Sequence, residues 1–308
     1  MTALVIGIDG GGTKTTALVA DDQGQQLAEV QGPASAVRPG HVAASADAIA
    51  AVVRDALAAA GMGEEKPRAL CVGVAGVGRE HMRQELEQAL AERALADELV
   101  VSPDYTVALD DAFGDGAGVL LIAGTGSVAF GRAPAGTHAR CGGWGPVFGD
   151  EGSGARIGRR ALSIVAAAAD GREPETALTG AILTATQVNE TTDLIDWAAS
   201  ATPAAFAALA PVVMTAADTG DLRANSLLSM AVEDLALHVR SLARQLVADE
   251  RAAVPVAVSG GVLRRGSSLR KRLEHRLKSA VPGAVVNAGE VVPARGAMRT
   301  ALRMLAGA

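Results

Sequence analysis

The stretch that decides the fold is Asp9-Gly10-Gly11-Gly12-Thr13-Lys14-Thr15, a glycine turn between two short apolar runs. Residues 3–8 read Ala-Leu-Val-Ile-Gly-Ile and residues 16–20 read Thr-Ala-Leu-Val-Ala, a pattern that predicts strand, tight turn and strand. Consecutive glycines let backbone N–H groups converge on an anion, and the three residues after them add hydroxyl and ammonium donors. The turn therefore indicates a phosphate-binding loop, with a purely structural turn as the alternative.

The carboxylate of Asp9 favours the phosphate interpretation. Asp9 follows an apolar run at the end of a strand that is predicted to be buried, where a carboxylate without a role would be costly. An acidic residue beside a phosphate loop is typical of a metal ion held between the two. Asp9 is therefore the candidate metal ligand.

Composition limits the function classes. The chain has 308 residues, of which 49% are hydrophobic, so it is long enough for two domains with substantial cores. A net charge of -6 and an aromatic content of 2% offer neither the basic surface nor the stacking platforms of nucleic-acid binding. The N-terminus lacks a basic leader with a cleavage site, and no apolar run reaches membrane-spanning length, so we expect a cytoplasmic protein without a membrane partner.

Apolar periodicity predicts an α/β order along the first third of the chain. The predicted elements are a strand at 26–31, a helix at 43–60, a strand at 68–74, a helix at 79–95 and a strand at 99–101. Ser102-Pro103-Asp104 closes the last of these strands. Ligands of doubly wound sheets bind beyond the carboxyl ends of strands, which is where Asp104 is placed.

A second glycine turn repeats the pattern of the first. The apolar run Val119–Ala123 is followed by Gly124-Thr125-Gly126-Ser127 and by another apolar run, with Ala123 at the position that Asp9 holds in the first copy. Alone, this could be any hairpin. As a second copy in a chain of two-domain length, it indicates a duplication with two glycine-hydroxyl loops facing across a cleft.

Two later stretches also suggest ligand contacts. Residues 140–154 combine many glycines with Trp144, Asp150 and Glu151, a composition suited to a binding surface, although an ordinary irregular connection is the alternative. A predicted strand at 254–258 runs into Ser259-Gly260-Gly261 ahead of a helix from about residue 267, a geometry suited to a nucleotide. Between these stretches the pattern is helical, with one long helix predicted at 226–250, and a last helix is predicted at 293–305.

In this order the motifs resemble the superfamily of actin, sugar kinases and heat-shock chaperone ATPases. Within it they resemble the N-acetylglucosamine kinase-like branch of the BadF/BadG/BcrA/BcrD ATPase family, from Ile6 to about Val262. The resemblance implies an α/β fold of two duplicated ribonuclease H-like (actin-like ATPase) domains around a central cleft. The first would comprise residues 1–115 joined by a C-terminal helix at 292–308, and the second residues 116–291 with a helical insertion.

The resemblance also assigns roles to individual residues. ATP phosphates and Mg²⁺ fall to Asp9, Gly11, Gly12, Thr13 and Lys14. Phosphate contacts from the facing domain fall to Thr125, Gly126 and Ser127, and the adenosine pocket to Ser259, Gly260 and Gly261. The sugar pocket falls to Gly143, Trp144 and Asp150. Asp104 takes the place of the general base and would accept the proton of the sugar 6-hydroxyl.

Two positions depart from the family pattern. Pro103 replaces an asparagine that often precedes the base, and Ser35-Ala36-Val37 replaces a loop that usually offers a sugar-binding asparagine. Ser35 is the candidate substitute for that amide. N-acetylglucosamine is the expected substrate, with glucosamine and N-acetylmuramic acid as alternatives, and a homodimer is expected because it is common in the family.

Two other function classes stay open at this point. Relatives in the wider family activate 2-hydroxyacyl-CoA dehydratases with an iron–sulfur cluster, but Cys71 and Cys141 lie far apart in the sequence and lack the paired arrangement that such a cluster uses. A nucleotide-dependent assembly or chaperone protein of the actin type would leave Trp144 and Asp150 without a role.

Overall fold

The computed structural model of the protein describes residues 3–63, 65–247 and 252–307. The chain divides into two compact units. The first unit comprises Met1–Gly116 and Val291–Ala308, and the second comprises Ala117–Glu290. The chain thus leaves the first unit once and returns to it for its C-terminal segment.

The described residues form ten strands and eleven α-helices. The strands are β1 (Leu4–Gly10), β2 (Lys14–Asp21), β3 (Gln26–Pro33), β4 (Ala69–Val74), β5 (Glu98–Pro103), β6 (Gly118–Ala123), β7 (Ser127–Arg132), β8 (His138–Gly142), β9 (Val254–Ser259) and β10 (Ala284–Val286). The α-helices are α1 (Val42–Ala59), α2 (Glu80–Ala91), α3 (Asp104–Phe113), α4 (Gly154–Ala169), α5 (Leu178–Thr186), α6 (Leu194–Ser200), α7 (Pro203–Ala207), α8 (Ala210–Asp218), α9 (Leu222–Leu246), α10 (Ser268–Ala280) and α11 (Pro293–Ala306). None of the described helices is both long and apolar enough to cross a membrane.

The first unit is built on a mixed five-stranded sheet in the order β3-β2-β1-β4-β5. β1, β2 and β3 form an antiparallel meander, and β4 and β5 extend the sheet from β1 in parallel. Asp9 of β1 lies opposite Gly73 of β4, which lies opposite Ser102 of β5. Because the carboxyl ends of parallel strands meet at one edge, Asp9 and the residue after β5, Asp104, share that edge.

Helices cover both faces of the first sheet. One face packs against α1 and α2 through buried side chains that include Ile8, Ile49 and Leu86. The other face packs against α3 and α11. Contact with α11 is so close that a Cβ on Gly7 of β1 would lie 2.1 Å from the backbone nitrogen of Met298. A side chain at position 7 would therefore force the C-terminal helix away from the sheet.

The second unit repeats this topology. Its sheet has the order β10-β9-β6-β7-β8, in which β6, β7 and β8 form the antiparallel meander and β9 and β10 extend it from β6 in parallel. Strand order and strand directions are the same as in the first sheet. The duplicated α/β fold predicted from the two glycine turns is thereby confirmed.

The helices α4 to α9 lie between β8 and β9 in the chain and form the helical insertion of the second unit. Their apolar faces share one core with the second sheet, in which Leu121, Ile157, Leu228 and Val239 are at most 1% exposed. The 25-residue helix α9 packs along β6, β7 and β8 and so spans this core.

The structure corrects the sequence prediction at three places. Arg140 and Cys141 belong to β8 and not to the irregular loop, and β10 was not predicted. Both strands are short and lie at the edges of the second sheet, where a short run gives little periodicity. The long helix predicted at 226–250 is α9, which begins earlier and ends at Leu246, and residues 248–250 lie outside the described residues.

Candidate active site

The first turn, residues 10–14, connects β1 to β2. The Gly11 N–H donates to the Lys14 carbonyl at 3.0 Å and closes the turn. The Gly11 carbonyl in turn accepts the N–H groups of Ser35 and Ala36 at 3.2 and 3.1 Å. Gly12, Thr13 and Lys14 are exposed. A hydroxyl, an ammonium group and bare backbone therefore form the solvent side of the turn, which is the donor set that a phosphate requires.

The glycines of the first turn are required for different reasons. A Cβ on Gly10 would lie 2.5 Å from the Ser35 hydroxyl oxygen, so packing alone excludes a side chain there. A Cβ on Gly12 would meet nothing within 4 Å, and its φ is not in the left-handed region. Neither packing nor backbone conformation requires a glycine at position 12, and its missing side chain leaves the backbone open to close approach.

Ser35 supports the first turn from inside the protein. Its side chain is 1% exposed, and its hydroxyl oxygen lies 2.7 Å from the hydroxyl of Thr15. Thr15 also donates to the Pro33 carbonyl at 2.6 Å. The sugar contact predicted for Ser35 is therefore corrected: the side chain is enclosed behind the turn, where it holds the turn in place and does not face a ligand.

Asp9 and Asp104 meet at the carboxyl edge of the first sheet. Gly73 lies beside Asp9 on β4, and a Cβ at that position would lie 2.2 Å from the Val107 side chain of α3. The missing side chain lets α3 lie directly on the sheet, so that its first residue, Asp104, comes close enough to Asp9 for the two carboxylates to repel. Sequence position alone could not show this, because the approach depends on how α3 packs.

Both carboxyl groups have raised pKa values. Burial is the main cause that raises the pKa of Asp9, the nearby Asp104 carboxylate adds to the rise, and the Lys14 ammonium opposes it, so that the pKa is about 6. Burial also raises the pKa of Asp104, against the backbone N–H of Tyr105, which donates to Asp104 Oδ1 at 2.9 Å. Buried carboxylates that repel each other are typical of sites that bind a cation or move a proton.

The site is suited to magnesium in one specific way. The described residues contain no group of three or more His, Cys, Asp or Glu side chains that could hold a metal ion by themselves. Mg²⁺ is commonly held by one or two carboxylates together with substrate phosphates and water. Asp9, beside the phosphate-type donors of the first turn, fits that donor set.

The second turn, residues 124–127, is fixed by the start of α4. The carbonyls of Gly124 and Thr125 accept the N–H groups of Gly154 and Ala155 at 2.8 and 3.2 Å. Thr125 itself is exposed. Ser127 is 2% exposed, and its hydroxyl donates to the carbonyl of Glu151 at 2.6 Å. The hydroxyl proton of Ser127 is thus used inside the protein, and the phosphate contact expected of Ser127 stays a prediction.

The tryptophan loop, residues 143–152, follows β8. It exposes the apolar side chains Trp144, Val147 and Phe148, which are 61%, 86% and 71% exposed. The guanidinium of Arg140 lies 5.1 Å from the centre of the Trp144 ring and orients it. Large exposed apolar side chains on one loop of a chain with few aromatic residues indicate a binding surface.

Asp150 turns back from the tryptophan loop onto the second turn. It adopts a left-handed backbone conformation with φ of 56°, which is uncommon for a residue other than glycine. Its Oδ1 accepts the Ser127 N–H at 3.3 Å, and a Cβ on Gly126 would lie 2.9 Å from its Oδ2. The carboxylate predicted to bind the sugar thus lies against the turn predicted to bind phosphate.

Ser259, Gly260 and Gly261 lie beside the second turn. β6 and β9 are parallel neighbours, and a Cβ on Gly260, whose φ is 100°, would lie 2.2 Å from the Ala123 carbonyl oxygen. A Cβ on Gly261 would meet nothing within 4 Å. Gly261 begins a one-turn 3-10 helix, Gly261–Leu263, which lies between the glycine pair and α10.

The predicted residues therefore assemble in two groups. The first group lies at the carboxyl edge of the first sheet and contains Asp9, Gly11, Gly12, Thr13, Lys14 and Asp104. The second lies at the carboxyl edge of the second sheet and contains Thr125, Gly126, Gly143, Trp144, Asp150, Ser259, Gly260 and Gly261. Ser35 and Ser127 lie behind the turns as supports.

Two polar arrangements were missed by the sequence analysis. Asp111 of α3 is bound by Arg295 and Arg299 of α11, whose spacing of four residues places both on one helix face. His238 of α9 lies 3.6 Å from Glu151 of the tryptophan loop. The spacing of Arg295 and Arg299 was visible in the sequence, but no neighbouring residue indicated that their partner is Asp111 or that His238 lies near Glu151.

The cysteines do not favour an iron–sulfur site. Cys71 is buried in β4, and burial together with the Asp110 carboxylate raises the pKa of its thiol to about 12. A thiol with such a pKa is a poor source of the thiolate that an iron ligand must provide. The position of Cys71 therefore disfavours the dehydratase-activator alternative.

Comparison with known proteins gives matches along most of the chain. The model of the BadF/BadG/BcrA/BcrD ATPase family matches residues 6–301. N-acetyl-D-glucosamine kinase of Dictyostelium discoideum is 32% identical, with 97% of this chain and 98% of that protein covered. N-acetylmuramic acid/N-acetylglucosamine kinase of Clostridium acetobutylicum is 31% identical, with 84% and 85% covered. A crystal structure from Chromobacterium violaceum, assigned provisionally as an N-acetylglucosamine kinase, superimposes with a TM-score of 0.77 at 32% identity and covers 97% of this chain and 98% of its own.

Proposed function

The chain belongs to the BadF/BadG/BcrA/BcrD ATPase family, and on that premise we propose that it is an ATP-dependent kinase that phosphorylates an amino sugar at its 6-hydroxyl. The observation that carries the proposal is the pair of buried carboxyl groups, Asp9 and Asp104, at the edge of the first sheet beside an exposed glycine-hydroxyl turn. One carboxylate serves phosphate and metal binding, and the other serves proton transfer.

Asp104 is the general base. A sugar hydroxyl is a weak nucleophile, and a positioned carboxylate can accept its proton as the phosphoryl group is transferred. The raised pKa makes Asp104 a stronger proton acceptor than an exposed aspartate, and the Tyr105 N–H fixes one of its oxygens. The other oxygen is left for the substrate hydroxyl.

Asp9 and the first turn hold the phosphates. The backbone of Gly11 and Gly12, the Thr13 hydroxyl and the Lys14 ammonium bind phosphate oxygens, and Asp9 holds Mg²⁺ against them. When bound, Mg²⁺ neutralises charge on the phosphate oxygens during transfer.

The second unit binds the remaining parts of both substrates. The exposed Thr125 and the backbone of Gly126 contact phosphate, and Ser259, Gly260 and Gly261 line the adenosine pocket. In the tryptophan loop, Gly143, Trp144 and Asp150 bind the sugar. N-acetylglucosamine is the proposed substrate. Glucosamine and N-acetylmuramic acid are the alternatives, because Ser35 does not replace the sugar-binding asparagine amide of the family pattern. A homodimer is proposed with this function, and light scattering on the purified protein would test it.

The decisive test is ADP release with Mg-ATP in the presence of N-acetylglucosamine, glucosamine, N-acetylmuramic acid, N-acetylmannosamine or glucose, with a no-sugar control. We expect one amino sugar to raise turnover far above the control. Position of transfer is read from the product by NMR, where phosphorylation shifts the C6 signals. ADP release that is the same with and without every sugar would reject the kinase proposal.

Replacing the base gives the matching mutational test. Asp104→Asn keeps the size of the side chain but removes the proton acceptor, so we expect turnover to fall by about 100-fold or more while sugar affinity stays within a few-fold of wild type. Asp55→Asn, on the exposed side of α1, is the control and leaves turnover unchanged. Equal turnover of Asp104→Asn and wild type would remove Asp104 from the mechanism.

A further inference from the structure

Ser127 connects the second turn to the tryptophan loop with every polar group it has. Its hydroxyl donates to the Glu151 carbonyl at 2.6 Å, and its backbone N–H donates to Asp150 Oδ1 at 3.3 Å. Its own carbonyl accepts the Gly143 N–H at 3.0 Å. These three bonds reach both ends of the tryptophan loop from one residue of the second turn. A displacement of either segment is therefore transmitted to the other through Ser127.

Steric contact adds to these hydrogen bonds. The Asp150 carboxylate covers Gly126 so closely that a Cβ on this glycine would lie 2.9 Å from Oδ2 and 3.0 Å from Oδ1. A side chain at position 126 would therefore displace the Asp150 carboxylate. The position of the Asp150 carboxylate thus depends on the conformation of the second turn.

Glu151 of the tryptophan loop faces His238 of α9. Glu151 Oε2 is buried 3.6 Å from His238 Nε2, which is beyond hydrogen-bond distance, and it has no hydrogen-bond partner among the described residues. His238 is 7% exposed, and its Nδ1 likewise has no such partner. Glu151 Oε2 therefore does not hydrogen-bond to His238 of α9. Ser127 supplies three hydrogen bonds between the second turn and the tryptophan loop, in addition to the bonds that Gly154 and Ala155 of α4 donate to the carbonyls of Gly124 and Thr125.

We propose that Ser127 is a positioning residue that makes binding of the amino sugar and binding of the nucleotide mutually cooperative. The inference rests on the proposed function, in which Trp144 and Asp150 hold the sugar while Thr125 and Gly126 hold phosphate. A sugar that orders the tryptophan loop orders the second turn through Ser127, so the nucleotide binds to a turn that is already in place. Such coupling is reciprocal, because each ligand must raise the affinity for the other by the same factor.

Isothermal titration of AMPPNP with Mg²⁺, with and without saturating N-acetylglucosamine, tests the proposal. If glucosamine or N-acetylmuramic acid gives the higher turnover, that sugar replaces N-acetylglucosamine. We expect the sugar to tighten AMPPNP binding of the wild type about fivefold or more. In Ser127→Ala we expect a coupling factor within about twofold of one, although each ligand alone still binds.

Two further variants separate coupling from a general loss of structure. Ser127→Thr keeps the hydroxyl in a strand position that favours β-branched residues, and we expect it to restore coupling. Thr186→Ala removes another buried hydroxyl, which donates to the Ile182 carbonyl within α5. This variant should have a lower melting temperature and unchanged coupling. If Ser127→Ala does not fold, Ser127→Cys, which keeps the volume but donates weakly, gives the same comparison.

The outcomes distinguish this inference from the function on which it rests. Wild-type coupling that persists in Ser127→Ala or Ser127→Cys overturns the role of Ser127. A wild-type protein that turns over an amino sugar but binds sugar and AMPPNP independently overturns it as well. A wild-type protein that releases no additional ADP with any sugar instead contradicts the proposed function.

Discussion

At the scale of single residues, the ionised Asp9 carboxylate of the candidate site lowers the stability of the folded protein. Its carboxylate is ionised in the unfolded chain above its ordinary pKa of 3.8, but the folded protein raises that pKa to about 6. The native state therefore binds more protons than the unfolded state between these values, and the stability contributed by this group falls as pH rises through that window. Above about pH 6 the loss of folding stability caused by the ionised Asp9 carboxylate is complete.

Removing the charge should therefore stabilise the ligand-free protein. We expect Asp9→Asn to raise the free energy of unfolding at pH 7.5 by about 1–3 kcal/mol, or the melting temperature by several degrees. The gain should shrink as the pH falls from about 6 towards 4, because the Asp9 carboxyl becomes protonated in the folded state. Thermal melts in EDTA from pH 4 to 8 measure it, with the exposed Asp55→Asn as the control. A gain in stability that does not depend on pH would show that the charge of the Asp9 carboxylate does not destabilise the folded protein.

Gly12 allows a ligand contact to be tested without disturbing the fold. Because a Cβ there would meet nothing within 4 Å and the backbone is not left-handed, Gly12→Ala should leave the melting temperature within about 2 °C of wild type. We expect the KM for ATP to rise about tenfold or more, since a methyl group would occupy the space of the phosphate. Gly180→Ala, at an equally open position in α5, is the matched control, with unchanged KM and slightly higher stability. An unchanged KM in Gly12→Ala would remove the first turn from the nucleotide site.

At the scale of elements, an ionic clamp joins α3 to α11. Asp111 of α3 has a side chain that is 1% exposed and accepts bonds from Arg295 Nε and Nη2 at 2.6 and 2.8 Å. It also accepts the Val292 N–H at 2.7 Å, at the entry of α11. Since α3 begins at Asp104, the clamp fixes the helix that presents the candidate base.

Breaking the clamp should be costly. Asp111→Ala removes the buried acceptor of the Arg295 and Val292 N–H groups, so we expect a loss of about 2–4 kcal/mol in urea unfolding. Glu87→Gln breaks a partly exposed ion pair with Arg83 on α2 and should cost no more than about 0.5 kcal/mol. Equal losses in the two variants would show that burial gives the Asp111 pair no additional value.

The elements themselves could be predicted where the local pattern was strong. Glycine turns between apolar runs located the hairpins of both sheets, and amphipathic periodicity located α1, α9 and α11 to within a few residues. β8 and β10 were missed because a strand of three to five residues carries too little periodicity. Their pairing depends on the neighbouring strand, which local sequence does not encode.

At the scale of the whole molecule, the chain order makes the two units unequal. The second unit is continuous, Ala117–Glu290, whereas the first needs α11 from the C-terminal segment to cover one face of its sheet. We predict that residues 117–290 expressed alone give a folded protein with a cooperative thermal transition. Residues 1–116 alone should aggregate or remain unfolded, because Val5 and Val107 would lose their cover. Circular dichroism and NMR dispersion of both fragments measure this, and a folded 1–116 fragment would contradict it.

The family was recognisable from the sequence, and the match over residues 6–301 confirms it. Site residues were recognisable in part. Asp9, the exposed side of the first turn, Thr125, Trp144 and Asp150 lie where glycine-rich loops end strands. The hydroxyls of Ser35 and Ser127 bond inside the protein, so the Ser35 side chain does not offer the expected sugar contact, whereas the phosphate contact of Ser127 stays a prediction. Their residue type was correct for a polar contact, but the partner was a neighbouring loop.

The sequence by itself determined the elements, the duplication and the family, because these depend on short-range periodicity, turn chemistry and motif order. Only the tertiary structure decided which side chains meet. The approach of Asp104 to Asp9 depends on α3 packing on Gly73, and the role of Ser127 depends on a loop that folds back from β8. The physical reason is that backbone conformation is set mainly by neighbours in the chain, whereas burial, pKa and hydrogen-bond partners are set by residues distant in sequence that packing brings into contact.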